Sequence, residues 1–312
     1  MSYLAEDQAA GVLRQWIGTA APKLLGEGME GAVYEVDDSR VAKIWFAGSV
    51  ESSRRAAAFY DALAAKPLTF QVPRITQVES VGGRVVTIER RLTGTTLAAA
   101  LAAGAVSRED AYAIVVDIVA ALATGGGLQA AREMTVLGED SPLFSAGEGF
   151  AVALARLAER RGARFRQVLS GAVVDFERKA AALSSRLVEV DSGRRAVLHG
   201  DLVPGNILVE ASGRPSAVLD WGFLTTEGDP AFDAAVTAAI FDMYGPEAAH
   251  VERDLLDRFE ARLRADRAAL LVYRAAYSLI TANAYDPTGQ DGHFAWCVAA
   301  LNRSDVTEAL LG

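Results

Sequence analysis

His199-Gly200-Asp201-Leu202-Val203-Pro204-Gly205-Asn206, followed fourteen residues later by Asp220-Trp221-Gly222, is the stretch on which the reading of this chain turns. A short apolar run, Ala196–Leu198, leads into it. Two more, Ile207–Glu210 and Ala217–Leu219, flank a turn at Ser212-Gly213-Arg214-Pro215. Apolar runs of this length bounded by turn residues read as strands. The predicted hairpin brings Asn206 and Asp220 to one end, with Asp201 five residues before Asn206 on a tight loop.

Each polar residue of the stretch then suits a separate task in phosphoryl transfer. A carboxylate must orient or deprotonate an attacking hydroxyl, and oxygen ligands must hold Mg²⁺ against the β- and γ-phosphates. Asp201 fits the first role; Asn206 and Asp220 fit the second. His199, between Leu198 and Gly200, reads as a buried hydrogen-bonding support of the loop. Farther on, Asp229 precedes Pro230 at the start of a predicted helix, the position of an N-cap, and Asp233 joins it as a supporting residue. Trp221 reads as packing, and His250, His293 and Cys297 as ordinary core or surface residues.

N-terminal to this stretch the pattern is of strands. After an amphipathic segment at 9–17, apolar runs recur at Lys23–Leu25, Ala32–Val36, Val41–Phe46, Val72–Val78 and Val85–Ile88. They predict a five-stranded antiparallel sheet, interrupted by one alanine-rich helix over Val50–Ala64. Gly26-Glu27-Gly28-Met29-Glu30-Gly31 runs into a strand, whereas a dinucleotide-binding turn needs a helix there. Gly26, Gly28 and Gly31 therefore suit a hairpin lying over nucleotide phosphates, or an ordinary glycine-rich hairpin. Lys43 stands within an apolar strand and wants an anionic partner, unless it lies on the solvent face of an edge strand.

Beyond Gly94 the period becomes helical. Ser107 caps a helix running to Thr124, and others are predicted near Phe150–Arg161, Phe165–Val188, Pro230–Tyr244, Pro246–Arg264 and Asp266–Ala284. Residues 128–149 read as a loop or lid. The expected architecture is α+β and bilobal: a nucleotide-binding lobe over 1–91 and a mostly helical lobe over 92–312 that holds the catalytic loop and acceptor site.

Composition bounds the function. The chain has 312 residues, 51% of them hydrophobic, one cysteine, three histidines and a net charge of −9. That charge argues against nucleic-acid binding, which needs a basic face. No apolar run approaches the ~20 residues of a membrane span, so the expected location is the cytoplasm, without a membrane partner. The spacing of the histidines and cysteine offers no structural metal site. The excess of acids lies wholly beyond Gly94, with Glu133, Glu139, Asp140 and Glu148 in or beside the 128–149 loop. Such a field attracts a cationic acceptor; the same carboxylates serve equally as a solubilising surface. The pairs Arg160-Arg161 and Arg194-Arg195 read as solvated faces.

These residues in this order resemble the aminoglycoside phosphotransferase and choline kinase group, the small-molecule branch of the protein-kinase-like fold. The resemblance covers about residues 22–310 and is most specific at His199-Gly-Asp201, Asn206, Asp220-Trp221 and Gly228-Asp229-Pro230 with Asp233. It implies an enzyme that moves the γ-phosphate of ATP (or GTP), with Mg²⁺, onto a hydroxyl of a small molecule such as an antibiotic or metabolite. By the resemblance Lys43 contacts the α- and β-phosphates, Asp201 is the base, and Asn206 and Asp220 bind Mg²⁺. Thr87–Arg91, with Glu89 and Arg91, forms the hinge that reads the base. The group also carries a helix glutamate that pairs with the lysine. Here Ala56 stands where that residue is expected, and Glu51 is the nearest acid on the helix. A nucleotide-binding module without turnover is the rival reading; a protein kinase is disfavoured because no Ala-Pro-Glu element follows Asp220.

Overall fold

The computed structural model describes residues 11–14, 16, 23–28, 31–139 and 141–312. The chain divides into two compact units, one holding the residues up to Thr95 with Leu208–Leu219, the other Thr96–Ile207 with Asp220–Gly312.

The first unit is built on an antiparallel sheet of β1 (Leu24–Glu27), β2 (Gly31–Glu35), β3 (Arg40–Trp45), β4 (Ile75–Val81) and β5 (Arg84–Arg90), in the spatial order β1-β2-β3-β5-β4. β4 starts later than the apolar run at Val72 suggests. Pro73 has no N–H to give a ladder, and Gln71 bridges Ala217 instead. One face of the sheet buries Ala32, Tyr34, Ala42, Ile44, Val86 and Ile88 together with Leu13; of the amphipathic segment at 9–17, residues 9, 10, 15 and 17 lie outside the described residues. The helix Val50–Ala64 occupies the range predicted for it. Ser49 and Ser52 cap its N-terminus reciprocally, satisfying donors that the first turn leaves open.

The second unit is helical. Its centre is formed by the helices Pro230–Ile240, buried at every residue, and Arg267–Thr281, buried from Ala269 onward. Phe150, Phe232 and Tyr273 pack as a trio with ring centroids 5.8–6.2 Å apart. The stretch predicted as one helix over Phe165–Val188 is two, Arg166–Ala172 and Phe176–Val190. Asp175 between them takes a left-handed φ of 53°. Two further helices, Gly292–Leu301 and Ser304–Leu311, close the chain. Among the described residues no helix is long and apolar enough to cross a membrane.

Candidate active site

In the second unit Ala196–Leu198 pairs antiparallel with Thr226–Gly228, Leu198 standing opposite Thr226. The end of one strand thus lies beside the start of the other, and residues 199–201 meet residues 222–225. Gly200 makes the approach possible. Its φ is 75°, and a Cβ there would lie 2.5 Å from Leu224 Cβ, so a side chain meets both strain and a clash. Thr225 joins the two segments: its hydroxyl donates to the His199 carbonyl at 2.9 Å and accepts the Gly222 N–H at 2.9 Å. Trp221 is 2% exposed and packs its ring 4.5 Å from that of His199. The segment carrying Asp220 is in this way fastened to the segment carrying Asp201. Asp220 itself adopts a φ of 60°, a conformation that costs a non-glycine residue on the order of 1 kcal/mol or more.

The Asp201 loop is held from below by Asp233, in the first turn of the helix Pro230–Ile240. One carboxylate oxygen accepts the His199 N–H at 3.0 Å and the other the Gly200 N–H at 2.8 Å. Burial pushes Asp233 up to about 6, against the downward pull of these two bonds. His199 is fully buried and accepts the Asp201 N–H at Nδ1, 3.2 Å away, which places its ring proton on Nε2. The Asn206 amide donates through Nδ2 to the Asp201 carbonyl at 2.9 Å. Its oxygen is then the atom left to meet a cation. Asp229 caps the helix by accepting the Ala231 N–H at 2.9 Å, and also accepts the Ser192 N–H at 2.7 Å.

Asp201, Asn206, Asp220, His199, Asp229 and Asp233 thus belong to one hydrogen-bonded and packed region. Tyr277 and Tyr285 border it: burial, and then the charge of Asp201, raise both phenols, Tyr285 to about 12. Both stay neutral near pH 7 and offer no ionised oxygen to take up a proton. The Tyr285 ring stacks on Phe223, with centroids 6.2 Å apart. Among the described residues no cluster of three or more His, Cys, Asp or Glu could hold a metal. Asn206 and Asp220 supply two hard oxygens, which suits Mg²⁺, an ion that takes one or two protein ligands and completes its shell with phosphate and water.

The remaining candidates lie in the first unit. Lys43 is on β3, the central strand, paired with Val33 on one side and Thr87 on the other; the edge-strand alternative does not apply. Gly26 and Gly28 are exposed, and the Gly28 N–H donates to the Gly31 carbonyl at 3.0 Å. At Gly31 a Cβ would lie 2.4 Å from the Ile44 carbonyl oxygen, so β2 reaches β3 there only without a side chain. Met29 and Glu30, between these glycines, lie outside the described residues. Glu89 accepts the Thr87 hydroxyl at 2.7 Å, and Arg91 pairs with Glu35 at 3.2 Å. Glu51, the acid proposed from sequence for Lys43, forms an exposed pair with Arg55 at 3.6 Å. Ala56 is buried.

The acids of the 128–149 loop carry partners. Glu139 pairs with Arg160 at 2.5 Å and Glu148 with Arg156 at 2.9 Å, and the Arg156 bond lowers Glu148 below its ordinary range. Asp140 lies outside the described residues. Of the arginines read as solvated faces, Arg161 is buried and donates to the Ile280 carbonyl, while Arg195 grips both oxygens of Asp191 at 2.8 Å. His293 and Cys297 are buried beside Thr281, and the exposed His250 lies 3.5 Å from Asp254. Sequence reasoning overlooked Thr225 and Trp45, since an isolated threonine or tryptophan carries no spacing signal. It also overlooked the strand Thr226–Gly228, whose three residues are too few to show a period.

The sequence profile described as the phosphotransferase enzyme family matches residues 22–273. No curated protein matches the chain in sequence. Among solved structures, APH(2")-IIa in a ternary complex with streptomycin and ATP is 16% identical, with all of both chains covered and a TM-score of 0.62. The aminoglycoside phosphotransferase APH(3'')-Id from Streptomyces rimosus, with ADP and streptomycin, is 20% identical over 92% of this chain and 100% of its own, with a TM-score of 0.56. A GDP and kanamycin complex of APH(2")-IIIa is 13% identical over 97% and 98%, with a TM-score of 0.58. At these identities the likeness to solved structures is one of fold. With the sheet, the helical unit and the profile in agreement, the chain belongs to the phosphotransferase enzyme family.

Proposed function

We propose that this protein transfers the γ-phosphate of ATP to a hydroxyl of a small molecule, with Asp201 as the base. The observation that carries the reading is the construction of the Asp201 loop. Two backbone N–H groups bound by the buried Asp233, one bound by His199, and an asparagine amide anchored to the Asp201 carbonyl hold a short loop in a single conformation. Phosphoryl transfer relies on positioning and electrostatics more than on covalent participation, and such a loop supplies positioning.

In the step proposed, Asp201 accepts a hydrogen bond from the acceptor hydroxyl and takes its proton. The hydroxyl oxygen forms a bond to the γ-phosphorus while the bond from that phosphorus to the β–γ bridging oxygen breaks, releasing ADP. Asn206 and Asp220 would hold Mg²⁺, whose charge offsets that of the β- and γ-phosphates. Lys43 would meet the α- and β-phosphates, Gly26, Gly28 and Gly31 would cover them, and the backbone around Glu89 and Arg91 would read the base.

The acceptor is a hydroxylated antibiotic or metabolite. Solved relatives holding streptomycin or kanamycin put aminoglycosides first in a screen. With Glu139 and Glu148 compensated by arginines, the acidic loop alone argues less for a cation than its composition does. The test is Mg²⁺-dependent transfer from ATP to a panel of cationic and neutral acceptors, with the product weighed by mass spectrometry. Asp201→Asn should bind ATP as the wild type does and lower kcat by about 10²–10⁴-fold. Loss of ATP binding in step with turnover would make Asp201 a structural residue.

A further inference from the structure

The setting of Lys43 includes an aromatic partner that its resemblance to kinases does not imply. The helix residue expected to face it with a carboxylate is Ala56, which is buried, and Glu51 is exposed and paired with Arg55. On the same face of β3, two residues along, stands Trp45. The Lys43 ammonium is 3.8 Å from the centre of its ring, well within the ~6 Å over which the negative face of an indole attracts a cation. The indole is itself anchored: its Nε1–H donates to the Thr87 hydroxyl at 3.1 Å, and that hydroxyl donates to the Glu89 carboxylate at 2.7 Å. Thr87 is fully buried and is the cross-strand partner of Lys43, so the anchor sits on the strand adjoining the lysine.

We propose that Trp45 is a positioning residue for Lys43, acting through its ring face, with Thr87 and Glu89 fixing the angle of the ring. The inference rests on the proposed role of Lys43 at the nucleotide phosphates. A hydrogen-bonded indole differs from a carboxylate in a way that matters here. Its ring face limits where the ammonium can go without itself adding a full negative charge beside the phosphates the lysine is to meet. Thr87 can serve because a hydroxyl both accepts from the indole and donates to a carboxylate; a valine at this buried position would leave the indole N–H without that acceptor.

The test is a double-mutant cycle of Trp45→Leu and Lys43→Ala on the full chain, read as KM for ATP and kcat, with thermal melts as a control for folding. Trp45→Leu should lower kcat/KM for ATP about tenfold, the range of a partly buried cation–π contact, and should have almost no further effect in the Lys43→Ala background. Trp45→Phe, which keeps a ring face but not the Nε1–H, should recover part of the loss. Equal losses in both backgrounds would show that Trp45 supports the fold rather than the lysine, and overturn the inference. If Lys43→Ala itself leaves KM and kcat for ATP unchanged, the reading of Lys43 fails first, a result separate from the coupling.

Discussion

Replacing Asp233 by asparagine separates what this residue does for the fold from what it does for the reaction. The carboxylate is 1% exposed and titrates at about 6, up from 3.8, because burial penalises its charge. At 1.36 kcal/mol per unit that shift amounts to about 3 kcal/mol against the charged form near pH 7. Asparagine escapes this cost. It keeps one oxygen but turns an amino group toward the other backbone N–H, losing a charge-assisted hydrogen bond of about 1.5–3 kcal/mol. The penalty of about 3 kcal/mol is already net of the two backbone N–H bonds, so the variant should melt no lower than the wild type at pH 7.5. The loop, holding either His199 or Gly200 instead of both, should shift, and kcat should fall by about 10²-fold, as small misplacements of catalytic groups do.

The pH dependence sharpens this prediction. The folded protein keeps the Asp233 proton between 3.8 and about 6, where the unfolded chain has released it. The stabilising contribution of the group is therefore complete below 3.8 and is lost as pH rises through about 6. Turnover moves the opposite way, because only the carboxylate accepts both N–H bonds. Melts and steady-state kinetics of wild type and Asp233→Asn from pH 4 to 8 measure both trends. The stability advantage of the wild type should shrink across that window while its kcat advantage grows. An unchanged kcat in the variant, or a stability difference flat with pH, would refute the account.

Further expectations are directly measurable. Asp220→Ala should remove Mg²⁺-dependent ATP binding in calorimetry, and wild-type Mg²⁺ dependence would take Asp220 out of the metal site. Gly228→Ala would place a Cβ 2.4 Å from the Phe150 ring and 2.6 Å from Leu198; overpacking there should cost about 1–3 kcal/mol in denaturant melts, and an unchanged midpoint would mean that the Phe150 trio yields easily.

Much of this structure was legible because its signals are local. Val50–Ala64 announces itself by a serine cap and alanine-rich period, and β2 and β3 by apolar strand runs on either side of Asp37-Asp38-Ser39, where Asp37 caps the turn through the Ser39 N–H. The Asp201 loop was readable because several polar residues in fixed order make one chemistry. What escaped is settled by packing. The break at Asp175 carries no glycine or proline, and Gly292–Leu301 is too uniformly apolar to show a face. The ion pairs of Glu139 and Glu148 join residues 21 and 8 positions apart, so a charge count along the chain sees the acids without their arginines. Trp45 and Thr87 meet across strands, from positions 42 apart.

The double bond-making of Thr225 bears on how the site waits for its substrates. To swing the Asp220 segment away from the Asp201 loop, the protein must release the His199 carbonyl from the Thr225 hydroxyl, which also holds the Gly222 N–H within the segment. At roughly 1 kcal/mol for that bond, and before any cost of unstacking Trp221 from His199, the assembled arrangement is favoured about fivefold. The two segments therefore stand assembled in the resting protein, and an arriving nucleotide spends little of its binding energy on recruiting one to the other.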